Sequence, residues 1–145
     1  MADQKEQNYA NHGRIDPMFH QVLFFIAVIS ILLALWIVIR NFSLSSLELL
    51  LLAVALMLAV LRLRAYATKL QDRIIRMEER VRLAALLPDT LRPRISELTE
   101  DQLIAIRFAS DAEAPALVQR ALNEKMSKDD IKKAVVNWRP DHFRV

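Results

Sequence analysis

Residues 22–39 read VLFFIAVISILLALWIVI, and residues 49–61 read LLLLAVALMLAVL. The first stretch has Ser30 as its only polar residue, and the second has no polar residue. Soluble proteins space their apolar residues periodically along helices and strands, whereas unbroken apolar runs of this length are typical of helices that cross a bilayer. The two stretches therefore predict a pair of transmembrane helices.

The first apolar stretch is preceded by a recognisable helix start. Asp16 is placed to cap the helix, and Pro17 is placed to occupy its first position. A helix over residues 18–39 would be about 33 Å long at 1.5 Å per residue, which is enough for a hydrocarbon core of about 30 Å. The hydroxyl of Ser30 is expected to donate to a backbone carbonyl one turn back, so that it costs little in lipid.

The second helix follows after a short connection. Ser45 and Glu48 have the spacing of a capping box, which predicts a helix start near Ser46. Two spans joined so closely must run antiparallel. Small residues recur on one face of each span, and we expect these faces to pack together because small side chains let helix backbones approach closely. They are Ala27, Ser30 and Ala34 in the first span, and Ala55 and Ala59 in the second.

The distribution of charge predicts the orientation of the hairpin. Residues 62–82 contain seven basic and three acidic side chains, a net charge of +4, whereas the connection between the spans offers only Arg40. By the positive-inside rule both termini are then cytoplasmic. Basic residues beside a span also meet anionic lipid headgroups. The predicted headgroup contacts are Arg62, Arg64, Lys69 and Arg73.

A signal peptide is the rival interpretation of the first apolar stretch. Ser43-Leu44-Ser45 has the small-x-small pattern of a cleavage site. The apolar run is too long for the core of a signal peptide, however, and the segment before it is acidic at Asp3, Glu6 and Asp16. We therefore favour a retained membrane helix.

No glycine or proline lies between Arg62 and Leu87, so the second helix is predicted to continue past the membrane until Pro88 ends it. Residues 65–87 are called the stalk here. Apolar residues along this stretch alternate at spacings of four and three, which is the heptad pattern of a coiled coil. They form the heptad stripe, which consists of the candidate interaction residues Leu70, Ile74, Met77 and Val81 together with Leu63, Ala67 and Ala84.

The heptad stripe has two candidate occupants. β-Branched residues at position a with Leu or Met at position d favour a parallel two-stranded coiled coil, in which Arg73 would face Glu78 of a second copy. Three heptads are close to the minimum for such an assignment. The chain's own C-terminal helices could cover the same stripe instead, and the sequence leaves the homodimer and the self-packed arrangement equally open.

Residues 88–145 are predicted to form a module of three short helices. Thr99 and Gln102 make a capping box that opens a helix reaching about Ala109. A second helix begins around Asp111 and Pro115, and a third begins at Ser127. The third helix has an apolar stripe that consists of Ile131, Ala134, Val135 and Trp138, and Trp138 is a further candidate interaction residue.

Several kinds of chemistry are excluded by composition. The chain has no cysteine and one glycine, so it has neither a thiolate centre nor a phosphate-binding glycine loop. His12, Asp16 and His20 are spaced four apart, but Asp16 and Pro17 start a helix that leaves His12 outside it. No catalytic constellation emerges, and we predict a protein that is not an enzyme and has no metal or cofactor. Tyr66 is the only aromatic residue among the interleaved charges of the stalk, and no nucleic-acid partner is predicted.

Four stretches of the sequence carry a resemblance to a known family. They are Asn8-Tyr9-Ala10-Asn11-His12-Gly13-Arg14 with Asp16, Pro17 and His20; residues 71–80; residues 107–113; and Ile131-Lys132-Lys133 through Trp138-Arg139-Pro140-Asp141-His142. Across essentially its whole length the chain resembles a family of small bacterial membrane proteins known only as a domain of unknown function. The resemblance implies an integral membrane protein and carries no activity, ligand or partner. It draws attention to the N-terminal segment, where the candidate contacts are Asn11, His12, Arg14 and His20, and where Asp16 is expected near Arg62 or Arg64.

These observations predict an all-α protein, a transmembrane hairpin whose second helix extends into a cytoplasmic stalk that carries a small three-helix module. The predicted segments are 1–17, 18–64, 65–87 and 88–145. The leading hypothesis is a non-enzymatic scaffold that self-associates or binds an unknown cytoplasmic protein. A small oligomeric transporter or channel comes second, although neither span has an ionisable residue at mid-membrane depth. An enzyme that acts on lipid headgroups through His12 and His20 comes third.

Overall fold

The structure is a computed structural model, and it describes residues 7–13 and 16–141. These residues form two compact units. One contains residues 16–69, and the other combines residues 7–13 with residues 70–141. As predicted, the fold is all-helical, with two long apolar helices, of which the second is the longer, followed by several short ones. Within the described ranges, the only β-type pairing is an isolated bridge between Ala109 and Trp138.

The first long helix begins with a π-helical turn. The turn comprises Met18–Leu23, and the chain continues as α1, Phe24–Arg40. The carboxylate of Asp16 accepts hydrogen bonds from the backbone N–H groups of Met18 at 3.1 Å and Phe19 at 3.4 Å. Asp16 therefore satisfies N–H groups that have no partner inside the helix, which confirms its predicted capping role. The π-helical turn itself was not anticipated by the sequence.

The second long helix, α2, comprises Leu44–Leu86 and is about 64 Å long. It starts earlier than the Ser45–Glu48 capping box predicts, so that prediction is wrong. Ser43 and Ser46 instead form two reciprocal hydrogen bonds. The N–H of Ser46 donates to the Ser43 hydroxyl oxygen at 3.1 Å, and the N–H of Ser43 donates to the Ser46 hydroxyl oxygen at 2.9 Å. The two short hydroxyls complete a reciprocal cap two residues before Ser45, and Glu48 is left exposed.

Residues 18–40 and α2 are each long and apolar enough to cross a membrane. In the most apolar window of each helix, only 11% of the residues are buried within the chain. Most of the large aliphatic and aromatic side chains of these helices are therefore exposed. The one hydroxyl in the first window is satisfied as predicted, because Ser30 donates to the Ile26 carbonyl at 2.8 Å.

The buried positions in the two spans are small residues. Ala27 and Ala34 are buried in α1, as predicted. In α2 the prediction is wrong, because Ala53 is buried whereas Ala55 and Ala59 are exposed. Ala53 shares a helix face with the buried cap residue Ser46, seven residues earlier, and Ala55 lies about 200° around the helix from Ala53. Ser46 and Ala53 therefore belong to the buried face of α2, and Ala55 lies on the opposite side of the helix.

Residues 87–141 contain one 3-10 helix and three short α-helices. The 3-10 helix, Arg92–Glu97, follows Pro88 and was not predicted. The α-helices are α3, Glu100–Ile106; α4, Ala114–Asn123; and α5, Lys128–Ala134. Their starts agree with the sequence: α3 has the full capping box of Thr99 and Gln102, and the Ser127 hydroxyl accepts from the N–H of Asp130.

The short helices share one hydrophobic core with the end of α2. Leu83 and Leu87 are almost completely buried in it. The other buried members come from α3, α4, α5 and the segments next to them, and they are Leu98, Leu103, Ala105, Ile106, Ala109, Ala114, Leu117, Val118, Ala121, Ile131 and Val135. Short helices of this kind are stable only when their apolar faces are covered, and here they cover each other and the last turns of α2.

The third short helix ends earlier than its apolar pattern predicts. α5 stops at Ala134, and Val135 has an extended backbone. The following residues pair with the segment after α3: Asn137 accepts from the N–H of Ser110 at 3.0 Å, and the N–H of Arg139 donates to the Phe108 carbonyl at 2.7 Å. The prediction that the helix continues through Trp138 is therefore wrong, because these bonds between segments replace the bonds of a further helical turn.

Candidate functional site

The part of α2 from residue 70 to residue 86 has two apolar faces, and the chain uses only one of them. Ile75, Glu79 and Leu83 are buried at spacings of four. The heptad stripe is turned away from the module: Leu70, Ile74, Met77 and Val81 retain between 48% and 73% of their accessible surface. At 100° per residue, the two faces lie on opposite sides of the helix. The chain's own short helices therefore do not cover the heptad stripe.

The buried face carries one acidic residue, Glu79, between Ile75 and Leu83. Glu79 is 3% exposed, and its carboxylate accepts from the guanidinium groups of Arg82 at 2.9 Å and Arg139 at 3.3 Å. Burial is the largest influence on this carboxyl and raises its pKa, although the charges of Arg82 and Arg139 act in the opposite direction. A buried ion pair of this kind contributes more to the geometry of docking than to net stability.

Arg82 connects the buried face of α2 to the segment between α3 and α4. Its Nε donates to the Asp111 carboxylate at 2.8 Å, and its Nη2 donates to the Ala109 carbonyl at 2.6 Å. The same side chain also reaches Glu79, so one guanidinium satisfies three acceptors from two parts of the chain. Arg76 makes a further ion pair from α2 to the first turn of α3, at Glu100.

The N-terminal segment, residues 7–13, is hydrogen-bonded to the C-terminal end of the same unit. The Gln7 side chain donates to the Asp141 carbonyl at 3.2 Å and accepts from the Asp141 N–H at 2.8 Å. A side-chain amide that exchanges two bonds with one backbone unit imitates a pair of residues in a β-ladder. Asp141 is held in addition by Arg107, whose Nε lies 3.0 Å from its carboxylate.

His12 is the centre of the contact between the N-terminal segment and the short helices. Its Nδ1 lies 2.7 Å from the Tyr9 carbonyl, and its Nε2 lies 3.0 Å from the Lys132 ammonium. These contacts fit a neutral imidazole that donates from Nδ1 and accepts at Nε2. The ring also contacts Phe108 at 5.6 Å and Trp138 at 5.8 Å between centroids. His12 is thus held by contacts to the chain itself.

The aromatic residues under His12 form a small buried platform. Phe108 is completely buried, and its ring lies 4.9 Å from that of Trp138. The guanidinium of Arg107 lies 4.4 Å from the Phe108 ring, and Lys133 lies 5.7 Å from the ring of Tyr9. Such cation–π contacts fix the orientation of the rings. Trp138, a predicted interaction residue, is half-buried and belongs to this platform.

At the base of the apolar hairpin, Asp16 meets Arg64 as expected. The Arg64 guanidinium lies 3.9 Å from the Asp16 carboxylate and 5.3 Å from the Phe19 ring. Because Asp16 precedes the first long helix and Arg64 lies on α2, this pair requires the two spans to fold back on each other. His20 makes a local contact, with Nδ1 2.9 Å from the Asp16 carbonyl.

The remaining predicted contact residues differ in their surroundings. Arg62, Lys69 and Arg73 are exposed. The side chain of Asn11 accepts from the N–H of Asn8 at 2.7 Å, and Arg14 lies outside the described residues. His12 and His20 belong to different units. Among the residues that the structure describes, no group of three or more His, Asp or Glu side chains is arranged to hold a metal ion.

The buried ion-pair network was missed by the sequence, although a signal for it exists. Glu79 lies four residues from both Ile75 and Leu83, so it occupies the middle of an apolar face. A carboxylate there requires cationic partners. Its second arginine, Arg139, is 60 residues away and could not be identified from spacing.

Comparison with known proteins gives one match. The model of the family described as "Family of unknown function (DUF6526)" matches residues 1–145, the whole of the chain. No curated protein and no solved structure shows significant similarity to the chain.

Proposed function

The chain belongs to DUF6526, a family of unknown function, and from this assignment we propose that it is a non-enzymatic, membrane-anchored scaffold that presents a helical module to the cytoplasm. One observation carries the proposal. Two helices long and apolar enough to cross a membrane leave most of their large apolar side chains exposed. Exposed apolar surface of this extent is stable in contact with lipid.

The charge distribution supports an orientation with both ends of the hairpin in the cytoplasm. The net charge of +4 over residues 62–82 contrasts with the single Arg40 in the connection between the helices. We propose that these basic residues remain on the inner side of a bacterial inner membrane. Arg62, Lys69 and Arg73 are exposed and available to anionic headgroups, at about 1 kcal/mol for each charge near the surface.

The polar groups of the module support a scaffold more than a catalyst. Two polar residues that are buried in the module bond to the chain itself: Glu79 to its two arginines, and Gln102 to the carbonyls of Ala121 and Met126 at 3.3 and 3.0 Å. Buried polar groups satisfied in this way make an interior rigid. We propose that the rigid module is presented to a cytoplasmic protein, with no role for nucleic acid or a cofactor.

Two measurements test this proposal, and the second uses the absence of cysteine from the chain. Alkaline carbonate extraction of membranes is expected to leave the protein in the pellet. For the orientation, Phe42→Cys lies in the connection between the spans, and Lys125→Cys lies after α4; both positions are exposed. A membrane-impermeant maleimide is expected to label Phe42→Cys in intact spheroplasts and to label Lys125→Cys only after the spheroplasts are lysed.

The carbonate extraction tests the membrane anchor, and the maleimide labelling tests the orientation. Release of the protein by carbonate would contradict the membrane anchor. Labelling of Lys125→Cys in unlysed spheroplasts, with Phe42→Cys protected, would contradict the orientation and leave the anchor intact.

A further inference from the structure

We infer that the heptad stripe on α2 is the contact surface for a second copy of this chain, so that two stalks associate as a parallel two-stranded coiled coil. The first argument is accessibility. Leu70, Ile74, Met77 and Val81 are exposed along a helix whose opposite face is filled by the module. A second helix can therefore reach the stripe without displacing the short helices.

The second argument is the register of the stripe. With Ala67, Ile74 and Val81 at position a, the d positions are Leu63, Leu70, Met77 and Ala84. β-Branched residues at a with Leu or Met at d are the combination that favours a parallel dimer over larger assemblies. The buried face follows a different spacing, with four residues between Ile75, Glu79 and Leu83. The two spacings assign different kinds of contact to the two faces.

The third argument is charge complementarity. Arg73 occupies position g and Glu78 position e, and both side chains are exposed. In a parallel coiled coil, position g of one helix faces position e of the next heptad on the other helix, and Arg73 then meets Glu78 twice by symmetry. An antiparallel pairing would bring g opposite g and e opposite e, which places like charges together. The charges therefore select a second copy of the same chain in parallel orientation.

The fourth argument comes from the apolar part of α2. Ala55, Ala59 and Leu63 follow each other at four-residue steps, so by helical periodicity they share one side of the helix. All three are exposed. Small residues four apart are a recurrent contact surface between helices in lipid. The exposed pair Ala55 and Ala59, next to Leu63, would allow the helix of a second copy to approach closely within the apolar part of α2.

The parallel orientation rests on the proposed membrane anchor, because two copies inserted in the same sense must present their stalks side by side. The experiment separates the two proposals. Single cysteines are placed at Met77→Cys, at position d on the stripe, and at Lys69→Cys, an exposed residue at position c that lies about 80° away around the helix. Carbonate-washed native membranes carrying each variant are oxidised mildly, and the disulfide-linked fraction is measured.

We expect Met77→Cys to form a product of twice the chain mass, because d positions of a parallel coil meet within the range that a disulfide can bridge. Lys69→Cys should not form it. Adding Leu70→Glu to Met77→Cys should lower the linked fraction at an equal protein level by at least about tenfold, equal to about 1.4 kcal/mol. Leu70 is exposed within the chain, so unchanged Trp138 fluorescence of this variant in a Trp36→Phe background shows that the module is still folded.

Three outcomes would overturn the inference. The first is equal cross-linking of Met77→Cys and Lys69→Cys, which indicates random collision. The second is no product at Met77→Cys in protein retained by the washed membranes, a result that leaves the anchor standing. The third is a linked product whose mass differs from twice that of the chain, since another protein then occupies the stripe.

The charge argument has its own control. Glu78→Arg should lower the cross-linked fraction of Met77→Cys, and combining it with Arg73→Glu should restore that fraction. Failure of the double variant to restore cross-linking while Glu78→Arg lowers it would contradict the parallel register.

Discussion

The two faces of α2 between residues 70 and 86 both carry apolar side chains and differ in what the chain itself places against them. The inner face, Ile75, Glu79 and Leu83, is buried by the chain's own short helices, whereas the heptad stripe on the outer face is exposed. The inner face repeats every four residues and includes a carboxylate with one partner far away along the chain. The outer face repeats every three and a half residues and keeps its charges at the flanks. The difference teaches that the apolar residues of one helix can follow two spacings, and that only the face with the four-residue spacing is buried within the chain.

The largest difference between the faces is expected on truncation of their apolar side chains. Leu83→Ala should lower the free energy of unfolding of the module by about 2–5 kcal/mol, because it opens a cavity in a fully buried core. Met77→Ala, on the heptad stripe, should change it by less than about 0.5 kcal/mol under conditions that keep the chain monomeric. Denaturant unfolding in detergent, followed by Trp138 fluorescence in a Trp36→Phe background, measures both. Similar losses in the two variants would mean that the outer face also packs within the chain.

A smaller difference is expected between arginines on the two faces. Arg82→Ala removes the bonds to Glu79, Asp111 and the Ala109 carbonyl, and it should cost about 1.5–3 kcal/mol, the range for hydrogen bonds to charged groups. Arg80→Ala is the matched control, since Arg80 is exposed two residues away. The same fluorescence titration compares them. A loss in Arg80→Ala as large as in Arg82→Ala would contradict the assignment of Arg82 to the docking of the module.

The smallest effect concerns the dependence of stability on pH. Burial raises the pKa of Glu79 above its ordinary value of 4.5, so the folded chain binds a proton there more tightly than the unfolded chain does. The contribution of Glu79 to the free energy of unfolding is therefore complete below pH 4.5 and is lost as the pH rises through the raised pKa. Titrating the wild type against Glu79→Gln isolates this contribution, because other groups titrate alike in both proteins. A wild-type advantage that grows with rising pH would contradict the raised pKa.

The features that the sequence predicts correctly are those decided within about four residues. The cap of Asp16, the capping box of Thr99 with Gln102, and the cap of Ser127 each join a side chain to a backbone group one turn away. The two apolar spans are equally local, because each is recognised from its own uninterrupted composition. The outline of the fold follows from these signals alone.

The features that the sequence does not predict depend on choices between equivalent local patterns or on distant residues. Two residue pairs at the start of α2 have the spacing of a cap, Ser43 with Ser46 and Ser45 with Glu48, and the earlier pair forms it. The small residues of α2 likewise offer more than one face, and the face of Ala53 is buried while Ala55 and Ala59 are exposed. Trp138 continues the apolar spacing of α5, yet its backbone pairs with Ala109 across the module. The platform under His12 joins residues about a hundred positions apart, and no spacing rule reaches that far.

The hydrogen bonds between Gln7 and Asp141 have a consequence for the order in which the protein is made. They join residues 134 positions apart, and both apolar helices lie within the loop that they close. During synthesis Gln7 is translated before both long helices, and Asp141 is translated after them. Their contact can therefore form only after the two long helices and the short α-helices have been synthesised, so the docked N-terminal segment reports that all the elements between residues 7 and 141 are in place.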